Sequence, residues 1–289
     1  MPRLGKNCYG KSAIRLVKVG REGAAGTEEA GRGPHSLSDL TVDVRLEGEF
    51  TAAHVQGDNR DVLPTDTMKN VVYALARERP VEPPEAFGIA LGNHLLESAP
   101  AAAAAVVALR VHSWTRADAG AGPCEHTFVR GSAERRVATV MVDRRRISVS
   151  AGIEGLSVLK TSGSAFAGFL RDRHTTLPET RDRIFASEIE ASWRYSAEPA
   201  SWTETWRAVR HALIATFADH QSESVQHTLF AMGTAALDVE PLVEEIQLVL
   251  PNQHHLLVDL SAFGLENPNE IFVATREPFG RIEAVVTRE

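Results

Sequence analysis

The stretch "LTVDVRLE", residues 40–47, alternates without interruption. Leu40, Val42, Val44 and Leu46 point one way, while Thr41, Asp43, Arg45 and Glu47 point the other. A period of two marks a strand with one face on a core and one in water, the habit of antiparallel sheets. A partner of similar character lies upstream in "SAIRLVKVG", residues 12–20. Between them runs "GREGAAGTEEAGRGPHS", glycine-rich and polar, which reads as a mobile loop over residues 20–36.

Downstream the period changes. In "VLPTDTMKNVVYALARE", residues 62–78, a proline ends an apolar stretch, and Met68, Val71, Val72 and Leu75 then recur at helical spacing. A helix should begin near Asp66 with Thr65 as its N-cap, because that hydroxyl can accept from an amide two or three residues on. Thr67 alone would serve as a cap. Two threonines around one aspartate, with Lys69 and Asn70 behind, therefore ask for a further reason.

A second helix follows over residues 84–97, after the breaker "RPVEPP". Strands return around Val107, Leu109 and Val111, then over residues 137–143 and 147–150. The second part of the chain repeats this order. Extended segments occur at residues 156–160 and 184–195. A helix over 203–220 carries Trp206, Val209, Leu213 and Phe217 on one stripe, and another begins near Ser224. Ile246, Leu248 and Leu250 then mark a strand, followed by "HHLLVDLS" and "EIFVAT". The order strand-strand-helix-helix-strand-strand thus occurs twice, which points to an internal duplication with halves at residues 1–148 and 149–289. The fold class is α+β: two tandem antiparallel sheets, each with two helices on one face. Open sheet edges must be covered or paired. Joining them within and between subunits would close a barrel, so an oligomer is expected.

Composition narrows the function. The 289 residues carry a net charge of −7, which argues against a nucleic-acid partner. The run Arg144-Arg145-Arg146 is the local exception, and reads as a solvated strand end or a subunit contact before it reads as a phosphate patch. Two cysteines, Cys8 and Cys124, suit a reducing cytoplasm rather than a disulfide framework. "MPRLGKNCYGKS" has no secretory h-region, and "AAAAAVVAL" is too short to span a bilayer, so no membrane partner is expected. The chain also lacks a phosphate loop, a dinucleotide fingerprint, Cys-x-x-Cys and His-Glu-x-x-His. Neither a metal nor a nucleotide cofactor has a visible home.

Five blocks carry a resemblance. "YGKSAIRLVKV", "GDNRDVLPTDTMKN", "LSVLKTSGSAFAGFLRDRHTTLPETRDRIF", "SVQHTLF" and "LPNQHHLLVDLS" occur in order over residues 9–261 and resemble the signature blocks of the urate oxidase (uricase) family. The resemblance implies the tunnelling fold, a homotetramer around a β-barrel tunnel, and active sites between subunits. It implies oxidation of urate by O2 and water, with no cofactor, to 5-hydroxyisourate and hydrogen peroxide.

It also implies roles. Lys11, Thr65 and His254 match the family's proton relay. Asp66 matches the residue whose amide meets the substrate. Phe166 matches the stacking ring, Leu177 a pocket wall, and Arg183 the substrate clamp. Val225 and Gln226 match the pair reading the purine edge, and Asn252 the asparagine near the O2 site. Lys11, Thr65 and Asp66 would come from one chain, and Phe166, Arg183 and Gln226 from its neighbour. Lys69 and Asn70 are marked by likeness alone. The chain departs from the family at Val71 and His174, which touch none of these roles.

Chemistry supports each role separately. Arg183 can offer a bidentate fork to an anionic rim, and the Gln226 amide can pair with an imide edge. A neutral Lys11 near pH 7 needs its pKa lowered by roughly 3 units, about 4 kcal/mol. The plainer readings are a core aromatic for Phe166, an ion pair with Asp182 or Glu179 for Arg183, a surface charge for Lys11, and a satisfied strand residue for His254. His255 is read in that last way too. A pterin enzyme of the same fold and a purine binder without catalysis are the rival functions.

Overall fold

The computed structural model describes residues 2–21, 33–120 and 122–288. Most of the loop expected at residues 20–36 therefore lies outside the described residues. The chain divides into two compact units, Met1–Gly152 and Ile153–Glu289. The division falls inside the strand Ile147–Lys160, a few residues past the boundary read from the sequence.

The first unit contains β1 (Cys8–Gly20), β2 (Ser36–Gly48), the short helix α1 (Thr51–Gln56), α2 (Thr65–Glu78), α3 (Pro84–Ser98), β3 (Ala102–Asp118) and β4 (Pro123–Asp143). The strands pair antiparallel in chain order. The opening stretch sits at the centre: Leu40, Val42, Val44 and Leu46 are all buried. Leu40 lies opposite Leu16 and Val111, and Val42 opposite Ile14 and Leu109, so three strands present one apolar face. Met68, Val72 and Leu75 of α2 and Phe87, Leu91 and Leu95 of α3 close over that face. The alanine-rich run turns out to open β3, where its small side chains pack under the helices.

Two fastenings hold α3 down. Gly92 lets α3 approach the sheet so closely that a Cβ there would stand 2.7 Å from Val142 Cγ2. At the start of α3 the Glu85 side chain is fully buried and pairs with Arg136 of β4 at 2.7 Å. Burial pushes the Glu85 carboxyl above its usual range, and Arg136 pulls it back.

β5 (Ile147–Lys160) joins into one strand what the sequence shows as two extended segments. The turn before it holds Arg144, Arg145 and Arg146, all exposed. Asp143 Oδ1 accepts the amides of Arg145 at 2.7 Å and Arg146 at 2.9 Å, which is the solvated strand end.

The second unit contains β6 (Phe185–Tyr195), α4 (Trp202–Asp219), α5 (Val225–Val239), β7 (Val243–Leu257), a 3-10 turn at Ser261–Phe263 and β8 (Phe272–Thr287). Again β6, β7 and β8 pair antiparallel in order. Gly233 brings α5 against Val286 as Gly92 brings α3 against Val142. The buried stripe of α4 is Trp202, Thr205, Val209, Leu213 and Phe217. Trp206, expected on that stripe, is only half-buried. Thr205 takes the inward position because Glu240 accepts its hydroxyl at 2.9 Å, so that this buried hydroxyl is paired.

Among the described residues no helix is long and apolar enough to cross a membrane, and no group of three or more His, Cys, Asp or Glu side chains could hold a metal ion.

Candidate active site

The first unit carries Lys11 on β1 and Thr65 and Asp66 at the start of α2. Lys11 lies on β1 directly before a bulge between Lys11 and Ile14. The extra residues include Ala13, held at φ 56°, whose amide donates to Asp43 Oδ1 at 2.6 Å. The bulge re-aims the strand. Lys11 pairs with Val44 and Tyr9 with Leu46, so both share the sheet face that α2 covers. Tyr9 then ties the approach to α2, its hydroxyl oxygen accepting the Leu63 amide at 2.8 Å.

Thr65 is not the N-cap expected for it. Pro64 holds that position, Thr65 is the first helical residue, and no side chain caps the helix. Pro64 still supplies its carbonyl to the Met68 amide at 3.1 Å. Nothing among the described residues bonds the Thr65 hydroxyl, so it stays available for chemistry. Thr67, the other candidate cap, is exposed within the helix.

Lys69 and Asn70 now acquire a structural reason. One turn on, Lys69 forms an ion pair with Asp66 Oδ1, and Asn70 Nδ2 donates to Asp66 Oδ2 at 3.3 Å. The Lys69 bond, foremost, holds the Asp66 carboxyl below its usual range, with Lys11 adding to the effect.

The second unit holds a cleft of about 640 Å³ whose lining includes Phe166, Leu177, Arg183, Asn252 and His254. Five of the seven residues assigned from sequence to this part of the chain thus meet at one place. Phe166 is fixed by its backbone, which exchanges hydrogen bonds with Thr180 at 2.8 and 3.0 Å. Its ring is stacked on Phe169 at 4.8 Å, and the Arg183 guanidinium stands 5.3 Å from the ring centroid. Phe166 is thus half-buried in an aromatic-cationic stack rather than a bare platform, and Phe169 is a neighbour the sequence did not single out.

Arg183 does not make the ion pair that was its plainer reading. Asp182 is occupied by Ser162 Oγ at 2.9 Å and the Gly163 amide at 2.8 Å. Arg183 Nε is buried with no partner among the described residues, and burial pushes the guanidinium down from its usual value. A buried, unpaired donor calls for an acceptor from outside. On β7, a bulge separates Asn252, opposite Gly280, from His254, opposite Thr275. His255 also lines the cleft, and its Nδ1 is buried without a partner, so it is not the satisfied strand residue read from sequence.

Val225 and Gln226 do not line the cleft. They open α5, where Ser224 is the N-cap and accepts the His227 amide at 3.1 Å. Their approach is nevertheless pinned to the Phe166 segment: Ala165 N donates to Ser222 O at 2.7 Å, and Ser222 N to Gly163 O at 3.0 Å. The Val225 side chain is buried in the core, while Gln226 is exposed.

The sequence profile named Uricase matches this chain twice, over residues 7–141 and 149–283. The chain belongs to the uricase family. Curated uricases include that of Arthrobacter globiformis, 42% identical over 99% of this chain and 90% of its own length, and that of Aspergillus flavus, 36% identical over 97% and 95%. The crystal structure of the Arthrobacter globiformis uricase superposes with a TM-score of 0.92 at 41% identity, covering 100% of this chain and 96% of that one. A urate oxidase from Bacillus sp. TB-90 reaches a TM-score of 0.81 at 21% identity, which speaks for the fold alone. The architecture is the α+β tunnelling fold of the uricases, and the two profile matches follow the two strand-helix-strand repeats.

Proposed function

We propose that this chain oxidises urate with O2 and water to 5-hydroxyisourate and hydrogen peroxide, without a cofactor. Two electrons leave urate for O2, two protons follow to complete the peroxide, and water supplies the hydroxyl. The observation that carries this reading is the cleft in the second unit, where Arg183 presents a buried unpaired donor beside Phe166, Asn252 and His254.

Each residue has work that suits its surroundings. Urate is a flat anion, and Arg183 can grip its rim through two parallel donors. Gln226 and the Val225 amide would take the imide edge, while the Asp66 amide at the start of α2 serves the opposite rim, where helix amides lack partners of their own. Leu177 forms an apolar wall. Lys11, Thr65 and His254 form the proton relay: a neutral Lys11 takes a proton through the Thr65 hydroxyl, and His254 connects through water. Asn252 holds O2 above the ring.

The two sets of residues belong to one site if subunits complete one another, so a homotetramer with sites between subunits is part of the proposal. Two free cysteines suit a reducing cytoplasm. The test is loss of the urate absorbance band with matching O2 uptake by chelator-treated protein. Urate binding without O2 uptake would make the chain a silent binder, and activity on a pterin instead would make it another enzyme of this fold. Mixing Lys11→Ala chains with Arg183→Ala chains should restore part of the activity lost in each. No recovery in well-formed hybrids would overturn the shared site.

A further inference from the structure

The proposed function asks Phe166 to offer a flat substrate a ring to stack on, and this inference rests on that reading. Thr180 fixes the Phe166 backbone through two hydrogen bonds, at 2.8 and 3.0 Å. A fixed backbone still leaves the ring free to turn about its side-chain bonds. A ring that must be ordered by each arriving substrate costs affinity, so a working platform needs a support of its own.

The support lies behind the ring. Phe169 is stacked on Phe166 with centroids 4.8 Å apart and planes within 14° of parallel, an arrangement aromatic pairs favour. Phe166 lines the cleft and Phe169 does not, so the second ring backs the first from the side away from the cleft. Phe169 is held in turn. The Arg171 guanidinium stands 5.3 Å from its centroid, and Arg171 Nη2 donates to Leu177 O at 2.9 Å. Leu177 is itself a wall of the cleft, so one arginine braces both the backing ring and the wall. The local sequence "FAGFLR", residues 166–171, makes the stack possible. Gly168, at φ 70°, turns the chain back so that the ring three residues on returns to the first. Nothing stands within 4 Å of a Cβ built there, so the backbone conformation, not space, asks for glycine.

We propose that Phe169, clamped by Arg171, is a positioning residue for the substrate: stacked behind Phe166, it sets the plane of that ring against a flat heteroaromatic anion in the cleft. Phe169 acts through Phe166, without touching substrate. Arg183, 5.3 Å from the Phe166 centroid, then meets a ring whose tilt is already fixed, and clamp and platform are held in one geometry before the substrate arrives.

The test is urate binding and turnover by the intact protein. Phe169→Leu should raise the urate Kd, measured by equilibrium dialysis without O2, by about 2–10-fold, the worth of an aromatic pair. KM in air should rise by a similar factor with kcat little changed, because the platform serves substrate and transition state alike. Phe169→Tyr, which restores the ring, should restore the Kd. In a Phe166→Leu background Phe169→Leu should add less than about 2-fold, since it acts through the ring already lost. A merely structural role would lower Tm or the active fraction and leave Kd and KM unmoved, and that result overturns the proposal. So does a Phe169→Leu effect that keeps its full size without Phe166. Should Phe169→Leu fail to fold, Arg171→Met decides: it leaves both rings in place and should raise Kd by about 2–5-fold. Protein that binds urate without consuming it would overturn the functional reading alone, and the Kd series would still decide the place of Phe169.

Discussion

The two helices that open toward chemistry begin differently. α5 starts with Ser224 as a working cap, its hydroxyl occupied by the His227 amide. α2 starts with Pro64 in the same place, a residue with no hydroxyl, and Thr65 follows as the first helical residue with its own hydroxyl unspent. The backbone pattern is shared: Pro64 O takes the Met68 amide at 3.1 Å, and Ser224 O takes the Thr228 amide at 3.2 Å. What differs is the use of the side chain. At α5 the hydroxyl caps the helix; at α2 no side chain caps it, and in the function proposed above the unspent Thr65 hydroxyl is the one that takes part in proton transfer.

Elsewhere the fastenings correspond. Lys18 of β1 donates to Ala76 O and Arg79 O, both at 2.7 Å, closing the far end of α2. Arg288, just past β8, does the same for α5 through Leu237 O and Glu240 O. Cations at a helix C-terminus satisfy its orphan carbonyls and its dipole.

The sharpest way to break the comparison is Thr65→Val. It should lower kcat by about 10²–10⁴-fold, the usual contribution of a proton-transfer group, while Tm stays near wild type. A variant that loses Tm and keeps its rate would make Thr65 a structural residue after all.

The next is Arg136→Met, which leaves Glu85 buried and unpaired and should cost about 3–5 kcal/mol in denaturant unfolding. The sign with pH follows from the direction of the Glu85 shift. Its folded pKa is raised above the unfolded value, so its contribution is fully present below the unfolded pKa and lost as pH rises through the folded one. Removing Arg136 enlarges the raise, so the deficit should be smallest in acid and grow toward neutral pH. A deficit independent of pH would mean that Arg136 acts by packing alone.

Ser224→Ala should cost about 1 kcal/mol of stability, the ordinary worth of a cap, with kcat little changed. Lys18→Met should cost no more than about 1 kcal/mol, read as a small drop in Tm. If Ser224→Ala instead removed activity outright and spared Tm, the division of labour between the two helix starts would be the reverse of the one described.

Much of this was legible in advance because it is written in short periods. Alternation at Leu40–Leu46 and the helical spacing of Met68, Val72 and Leu75 depend on burial of one face, which a local pattern records. The Thr65 cap was misplaced because the cap rule weighs hydroxyls and overlooks that proline, lacking an amide, can hold the position. Trp206 was placed inward by its apolarity, yet Thr205 took the position once Glu240, far along the chain, offered an acceptor. His255 looked ordinary because nothing nearby in sequence shows that its Nδ1 ends buried and unpaired.

By itself the sequence determined the family, the duplicated order of elements and the chemical kind of each site residue, since periods, blocks and side-chain types are local properties. Only tertiary structure decided which hydroxyl is free, where Arg183 stands over Phe166, and how Lys11 comes to face α2. Those outcomes rest on bonds between residues far apart in sequence, such as Ala13 with Asp43 across 30 positions and Leu63 with Tyr9 across 54. No local pattern carries such pairings, because each partner's availability is settled only when the sheet has formed and the helices have closed over it.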